Sequence, residues 1–346
     1  MGDLGMGRSN LAFAFPLLAV LVLSACNLPS QPANPLQTAI ALTLAAQPEA
    51  NATPLPGASA LIGSSDSEPS GQIVYTCQYS KRSGYNQICI INADGSGQRV
   101  LTSAGSDDDL FASVSSDGKS VLFASDRTGT YQIYELNLDS ENLIQLTDLN
   151  GLHAYAPDVS PDGERIVFYA RVAGGAYPGS HNIWVMNRDG TNPHAITALS
   201  GGAWDPAWSP DGQFVVFASQ VGGLPQIFIV AADASDPQQV TDLDGVRGRS
   251  DWSPDGVTLA TYIGTPWDRE IYLFDLAGDN LRPITSGGNN LAPSFSPDGQ
   301  WITFTSYRDN YRINLGCEIY IMRVDGSDIR RLTDNDICDW QPRWGP

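Results

Sequence analysis

Four copies of Ser-Pro-Asp-Gly, at Ser160–Gly163, Ser209–Gly212, Ser253–Gly256 and Ser296–Gly299, follow a close variant at Ser115–Gly118. From one aspartate of these turns to the next the spacing is 45, 49, 44 and 43 residues. A period of this size, filled with alternating apolar runs and tight turns, is the mark of a radial array of small antiparallel sheets. Most of the chain is therefore one supersecondary unit repeated, and an all-β closed ring is expected.

One copy shows the unit. Pro206-Ala207-Trp208 reads as a short inner strand, Ser209 to Gly212 as a turn with proline at its favoured second position, and Gln213 to Ser219 as an apolar second strand. Gln226 to Ala231 reads as a third strand, and Gln238 to Thr241 opens a fourth. A second mark closes each repeat: Leu101-Thr102, Leu146-Thr147, Ile196-Thr197, Val240-Thr241, Ile284-Thr285 and Leu332-Thr333. These are six, against five inner turns. The first repeat starts at Gln72 with its second strand, whereas the chain ends in Trp340-Gln341-Pro342-Arg343-Trp344, which matches Trp204-Asp205-Pro206-Ala207-Trp208. The C-terminal segment is expected to supply the missing inner strand, so that six four-stranded blades close into a ring without free inner edges.

The succession Pro-x-[Trp/Phe]-Ser-Pro-Asp-Gly, Phe-Ala-Ser, Ile-Tyr, Asp-Gly-Ser and Leu-Thr resembles the WD40-like Pro-Asp repeats of the TolB family. Asn86 to Thr102 and Glu318 to Thr333 look like half-blades of that type. The resemblance runs from about Gly71 to Pro346 and implies a six-bladed β-propeller that binds proteins. Propellers of this kind also occur fused to peptidases and as lipoproteins, so fold alone does not assign the activity. The chain departs from the family in carrying a lipobox and a Pro/Ala/Ser-rich stretch where TolB has an α/β domain.

The segment before the repeats reads as an export signal. Leu11 to Leu23 is apolar and follows Arg8, and it has the length of a signal-peptide core rather than of a membrane span. Leu23-Ser24-Ala25-Cys26 resembles a lipobox, which makes Cys26 the expected lipidation site. The expected division is a signal peptide over 1–25, a flexible tether over 26–70 and the propeller over 71–346. The tether is rich in Pro, Ala, Ser, Gln and Thr and lacks Lys and Arg, a composition that buries too little apolar surface to fold alone. The expected protein is a monomer outside the cytoplasm, touching a bacterial membrane only through this anchor.

With Cys26 assigned, Cys77, Cys89, Cys317 and Cys338 remain, an even number suited to disulfides in an exported chain. Three connectivities are open. The repeat alignment favours Cys77 with Cys89 within one hairpin, and Cys317 with Cys338 on neighbouring loops. Paired metal-ligand spacings are absent, and no metal or cofactor is expected.

With 38 acidic and 19 basic residues the net charge is -19, which argues against nucleic acid as a partner. No nucleophile-elbow motif occurs, and the chain is not expected to be an enzyme. His153 and His181 are expected as exposed loop residues on one rim.

The loops from one blade's last strand to the next blade's first should converge on the channel mouth. Read in register they give Asp109-Leu110-Phe111, Ala154-Tyr155-Ala156, Ala203-Trp204-Asp205, Arg247-Gly248-Arg249, Asn290-Leu291-Ala292 and Asp339-Trp340-Gln341. Tyr155, Trp204 and Trp340 are expected to form an aromatic wall there, with Arg247 and Arg249 as a positive patch and Asp205 and Asp339 as rim acids. Such a mixture suits a protein or peptide ligand. Carboxylates beside aromatics also suit a glycan-binding or carbohydrate-active propeller, the alternative reading. The longer loops of the same rim carry Tyr79, Tyr85, Tyr177, Tyr307 and Tyr311.

Overall fold

A computed structural model describes residues 67–346 apart from 79–83, 103–104, 176–178, 234–235, 247, 277–279 and 310–315. The expected signal peptide, Cys26 and nearly all of the expected tether lie outside the described residues, as do Arg247, Tyr79, Tyr177 and Tyr311.

Six antiparallel sheets of four strands form the six blades. Blade 1 contains β1 (Gln72–Gln78), β2 (Asn86–Asn92) and β3 (Arg99–Val100), and blade 2 contains β4 (Asp109–Val114), β5 (Ser120–Ser125), β6 (Gln132–Asn137) and β7 (Leu143–Gln145). Blade 3 is β8 (Leu152–Val159), β9 (Arg165–Val172), β10 (His181–Asn187) and β11 (His194–Ala195); blade 4 is β12 (Trp204–Trp208), β13 (Phe214–Ser219), β14 (Gln226–Ala231) and β15 (Gln238–Gln239). Blade 5 is β16 (Asp251–Trp252), β17 (Thr258–Thr265), β18 (Asp268–Asp275) and β19 (Arg282–Pro283); blade 6 is β20 (Asn290–Phe295), β21 (Trp301–Ser306), β22 (Glu318–Arg323) and β23 (Arg330–Arg331). The last strand, β24 (Asp339–Gly345), pairs antiparallel with β1 and completes blade 1. The ring closes as the repeat count requires.

Each repeated mark has a hydrogen-bonding reason. In all five Ser-x-Asp-Gly turns the serine hydroxyl donates to the aspartate Oδ1, as from Ser160 to Asp162, and that oxygen also accepts the amide two residues on, at 3.0 Å. The serine oxygen accepts the amide five residues on, at 2.9 Å, which starts the second strand. The serine hydroxyl holds the Asp117 and Asp162 carboxyls below the usual range.

The threonine of each Leu-Thr mark is buried. Its Oγ1 accepts the amide at the head of the third strand fourteen residues earlier, at 2.9–3.0 Å, in all six blades. In four blades it also donates to Gln132, Gln226, Glu270 or Glu318. Threonine thus ties the short outer strand to the blade where few backbone pairs are available.

The core lies between blades. One cluster joins Ile73, Tyr75 and Trp344 of blade 1 to Trp301, Ile319 and Ile321 of blade 6, and comparable clusters fill the other seams. Trp208, Trp252, Phe295 and Trp344 all take part or lie buried beside it.

Apart from β16, the inner strands run longer than the sequence alone suggests. β12 begins at Trp204, ahead of the expected Pro206, because it continues through a bulge at Asp205. Each blade has one such residue with positive φ: Phe111, Ala156, Asp205, Arg249, Ala292 and Gln341. In four of the six, proline follows, and the bulge tolerates its missing N–H.

Candidate functional site

Two residues beyond each bulge, the six inner strands place Ser113, Asp158, Ala207, Asp251, Ser294 and Arg343 at equivalent positions. Three of these tie one blade to the next: Asp158 Oδ2 accepts the Trp208 amide at 2.9 Å, Asp251 Oδ2 accepts the Phe295 amide at 2.8 Å, and Ser294 Oγ accepts the Trp344 amide at 3.2 Å. Arg343, from blade 1, reaches Asp251 of blade 5 and donates from Nη1 to Oδ1 at 2.6 Å. With Asp205 and Arg249 from the bulge positions, three carboxylates and two guanidiniums meet at the middle of the ring.

Their electrostatics follow from burial and mutual proximity. Burial pushes the Asp158 carboxyl up to about 6, against the opposing pull of Arg343. Burial likewise raises Asp205, opposed by Arg249 and Arg343. Arg249 falls to about 10, through burial first and the nearby Arg343 second. Burial alone would lower Arg343 too, but Asp251 and Asp158 outweigh it and hold that guanidinium above its ordinary value.

The structure moves several expected rim residues inward. Trp204 is 6% exposed, with its ring 6.4 Å from His181. Tyr155 is buried between Tyr131 and Tyr169, at ring separations of 4.8 and 5.3 Å, and its hydroxyl receives a hydrogen bond from Arg171 Nη2. Trp340 is half-buried. The expected open aromatic wall is therefore corrected: the wedge between neighbouring blades is filled by these rings, which leaves little aromatic face at the mouth.

Arg249 is buried as well and belongs to the channel cluster rather than to a surface patch. The two expected rim acids are not brought together. Asp205 lies in the channel and takes the Arg249 amide, whereas Asp339 is 1% exposed beneath the seam of blades 6 and 1, where Asn335 Nδ2 donates to it at 2.8 Å. They do not face each other across a cleft as a glycosidase pair would.

The histidines are corrected too. Both are strand residues, directly opposite Arg171 on its two sides. His181 is buried, and His153 Nδ1 accepts the Tyr131 amide at 3.1 Å, which places its proton on Nε2. Burial, then Arg171, lowers the His153 pKa. Among the described residues no group of three or more His, Cys, Asp or Glu side chains is placed to hold a metal ion.

Cys77 is bonded to Cys89, and Cys317 to Cys338, the pairing favoured by the repeat alignment. The first bond crosses adjacent strands of blade 1; the second joins the start of blade 6's third strand to the loop entering β24. Both flank the seam where the ring closes.

Asp251 and Arg343 escaped the sequence reading, although a signal was present. Both stand between a small or proline residue and a tryptophan, in strands otherwise uncharged at that point.

A family model described as the TolB beta propeller domain matches residues 62–177, 151–245 and 234–346. A protein TolB homolog of Chlorobium chlorochromatii is 32% identical over 165 residues, which is 45% of this chain and 36% of that protein. The Tol-Pal system protein TolB of Bordetella pertussis is 32% identical over 169 residues, 48% of this chain and 37% of that one. The matches thus span little more than a third of these relatives' length. Among solved structures, TolB from Acinetobacter baumannii superposes with a TM-score of 0.70 at 24% identity, over 81% of this chain and 68% of that chain. An oligogalacturonate lyase from Vibrio parahaemolyticus shares the fold at a TM-score of 0.52 and 12% identity, over 75% of this chain and 78% of that one. At such identities the likeness is one of fold alone.

Proposed function

The chain belongs to the TolB β-propeller family, and from that premise we propose that it is a non-enzymatic binding module whose loop-rich rim meets a protein partner. The observation that carries this reading is the rim itself. Tyr85, Val172 and Leu224 are 40%, 49% and 53% exposed; Tyr85 and Leu224 stand in the second-to-third-strand loops of blades 1 and 4, and Val172 ends β9 where that loop of blade 3 begins. Three large apolar side chains are thereby presented on one face, around the mouth of the channel.

The channel charges support binding over catalysis. Asp158 and Asp251 are spent on backbone amides of the next blade, and Asp251 also on Arg343. The name of the Bordetella relative, a protein of the Tol-Pal system, supports a protein partner. Two disulfides support an oxidising compartment outside the cytoplasm. In this reading residues 1–25 are removed on export, Cys26 carries the lipid, residues 26–70 give reach, and residues 71–346 act as a monomeric propeller.

The test is in-cell crosslinking of the full chain, with Tyr85, Val172 and Leu224 replaced together by serine. A second variant replaces Val100, Ile144 and Ile329, exposed on or near the outer strands, as a control of equal hydrophobic loss. The rim variant should lose its crosslinked partners while the outer variant keeps them. Equal behaviour of the two would overturn the rim assignment. Metabolic labelling with a fatty acid, abolished by Cys26→Ser, checks the anchor.

A further inference from the structure

Reduced, Cys77 would carry the hydrogen-bond donor that Asp339 lacks. The two residues are Cα partners in the pairing of β1 with β24, which puts their side chains on one face with Cβ atoms about 4.5–5.5 Å apart. Blades 2 and 6 show what stands at the Cys77 position elsewhere: Ser125 opposite Asp109, and Ser306 opposite Asn290. Ser306 Oγ donates to Asn290 Oδ1 at 2.7 Å, and Ser125 stabilises the Asp109 carboxylate. Cys77 Sγ thus takes the place of a serine hydroxyl that serves the residue opposite. As a disulfide with Cys89 it has no hydrogen to give, and Asp339 Oδ1 is buried without a partner among the described residues.

The other groups facing this carboxyl leave Oδ1 unmet. Asn335 and Thr333 favour its ionised form, Asn335 Nδ2 by donating to Oδ2 at 2.8 Å, whereas Glu318 of β22 opposes ionisation. Glu318 is itself paired with Arg331 at 2.9 Å. On β1 the neighbour is Tyr75, whose hydroxyl accepts from Gln98. Burial outweighs the favourable partners and pushes the carboxyl up to about 7.

We propose that Cys77 and Cys89 form a redox-active pair whose reduction is coupled to Asp339 through a hydrogen bond from the Cys77 thiol to the Asp339 carboxylate. The reductant is a small dithiol. One of its thiolates attacks Cys89 Sγ, the S–S bond breaks with its electron pair on Cys77 Sγ, and the Asp339 carboxyl gives that sulfur its proton. The second thiol attacks the mixed disulfide and releases Cys89, which takes a proton from water, and the dithiol leaves as its own disulfide. In sum the dithiol supplies two electrons and two protons to the sulfurs, and one proton, that of Asp339, passes to solvent. Reduction is therefore favoured as pH rises. The pair stands at the base of the loop that carries Tyr85, but its redox chemistry does not depend on what the rim binds.

The test equilibrates the oxidised full chain with reduced and oxidised dithiothreitol from pH 5 to pH 8, then traps free thiols by alkylation and counts them by peptide mapping. The reduced-to-oxidised ratio of Cys77–Cys89 should rise about tenfold across that range, the factor for a drop of one unit in the Asp339 pKa on reduction. Cys317–Cys338 in the same samples corrects for the reagent, since neither of its cysteines lies in a strand opposite a carboxyl. Asp339→Asn should flatten the Cys77–Cys89 curve. Equal slopes for the two pairs, the same slope in Asp339→Asn, or a Cys77–Cys89 bond that dithiothreitol fails to reduce in the folded chain overturns the proposal. A second arm, Cys77→Ser with Cys89→Ala, puts a serine hydroxyl where blades 2 and 6 have one. That variant should lose the fall in stability that the buried Asp339 gives the oxidised chain as pH rises through 7. Persistence of the fall would put the carboxyl out of reach of residue 77 and count against the coupling.

Discussion

Asp339 lies directly opposite Cys77 in the sheet that closes the ring, where blades 2 and 6 place a serine opposite the equivalent residue. In blade 6, Ser306 Oγ donates to Asn290 at 2.7 Å, and in blade 2, Ser125 and Arg127 both stabilise Asp109. Cys77 is committed to its disulfide and donates nothing to Asp339, whose Oδ1 is buried without a partner. Burial, opposed only in part by Asn335, pushes the Asp339 carboxyl up to about 7.

A carboxyl raised in the folded state binds its proton more tightly there than in the unfolded chain. Its contribution to stability is therefore complete below about pH 4 and is lost as pH rises through 7. Asp339→Asn should be more stable than the parent at pH 8, on the order of 1–3 kcal/mol, and the two should converge at pH 4. Denaturant unfolding at several pH values measures this; a constant difference across the range would refute the assignment.

Removing either disulfide loosens the seam at which β24 meets β1. The bonds close loops of 12 and 21 residues, for which the chain-entropy estimate is about 3 kcal/mol each. Reductant should lower the melting temperature of the parent, and should have only half that effect on a Cys77→Ala, Cys89→Ala variant. Peptide mapping of the oxidised protein should recover both linked pairs.

Thr241 accepts the Ile227 amide and donates to Gln226, both buried. Replacement by valine keeps the shape but orphans that amide, while the glutamine oxygen retains only the Leu243 amide, at a cost of about 1–3 kcal/mol. Thr241→Ser should recover most of the loss. Because all six blades use the same bond, valine at any of the other five threonines should behave alike, as thermal unfolding can verify.

Gly248 sits where a side chain has no room. A Cβ there would lie 2.9 Å from Trp204 Nε1 and 3.0 Å from Asp205 Oδ2, at a φ of 121°. Gly248→Ala should destabilise by more than about 1 kcal/mol and displace the Trp204 indole, visible as a change in tryptophan fluorescence.

The blades were legible because their marks are local. Ser160 and Asp162 close their turn within a few residues, and Thr102 meets Ile88 fourteen residues away, so each mark carries its own reason in the sequence. The closing strand was legible too, because Trp340 to Trp344 repeats the inner-strand pattern in the one place where a strand was missing. The candidate site was read less well. Trp204 and Asp205 are adjacent in sequence, and both looked like rim residues; the bulge at Asp205 sends the carboxylate into the channel while the indole wedges beside His181. Asp251 and Arg343, 92 residues apart, meet only because the ring brings blades 5 and 1 around a common axis.

What the sequence by itself determined is the number of blades and their register, since each depends on hydrogen bonds made inside one repeat, and their closure, since the last strand repeats the inner-strand pattern that the first repeat lacks. Only the tertiary structure decided which residues at equivalent positions face solvent, the seam or the channel. The physical reason is that this choice belongs to the neighbouring blade: Asp109 keeps its serine and arginine, Asp339 loses that serine to a disulfide, and Arg249 reaches the axis with its donors unspent.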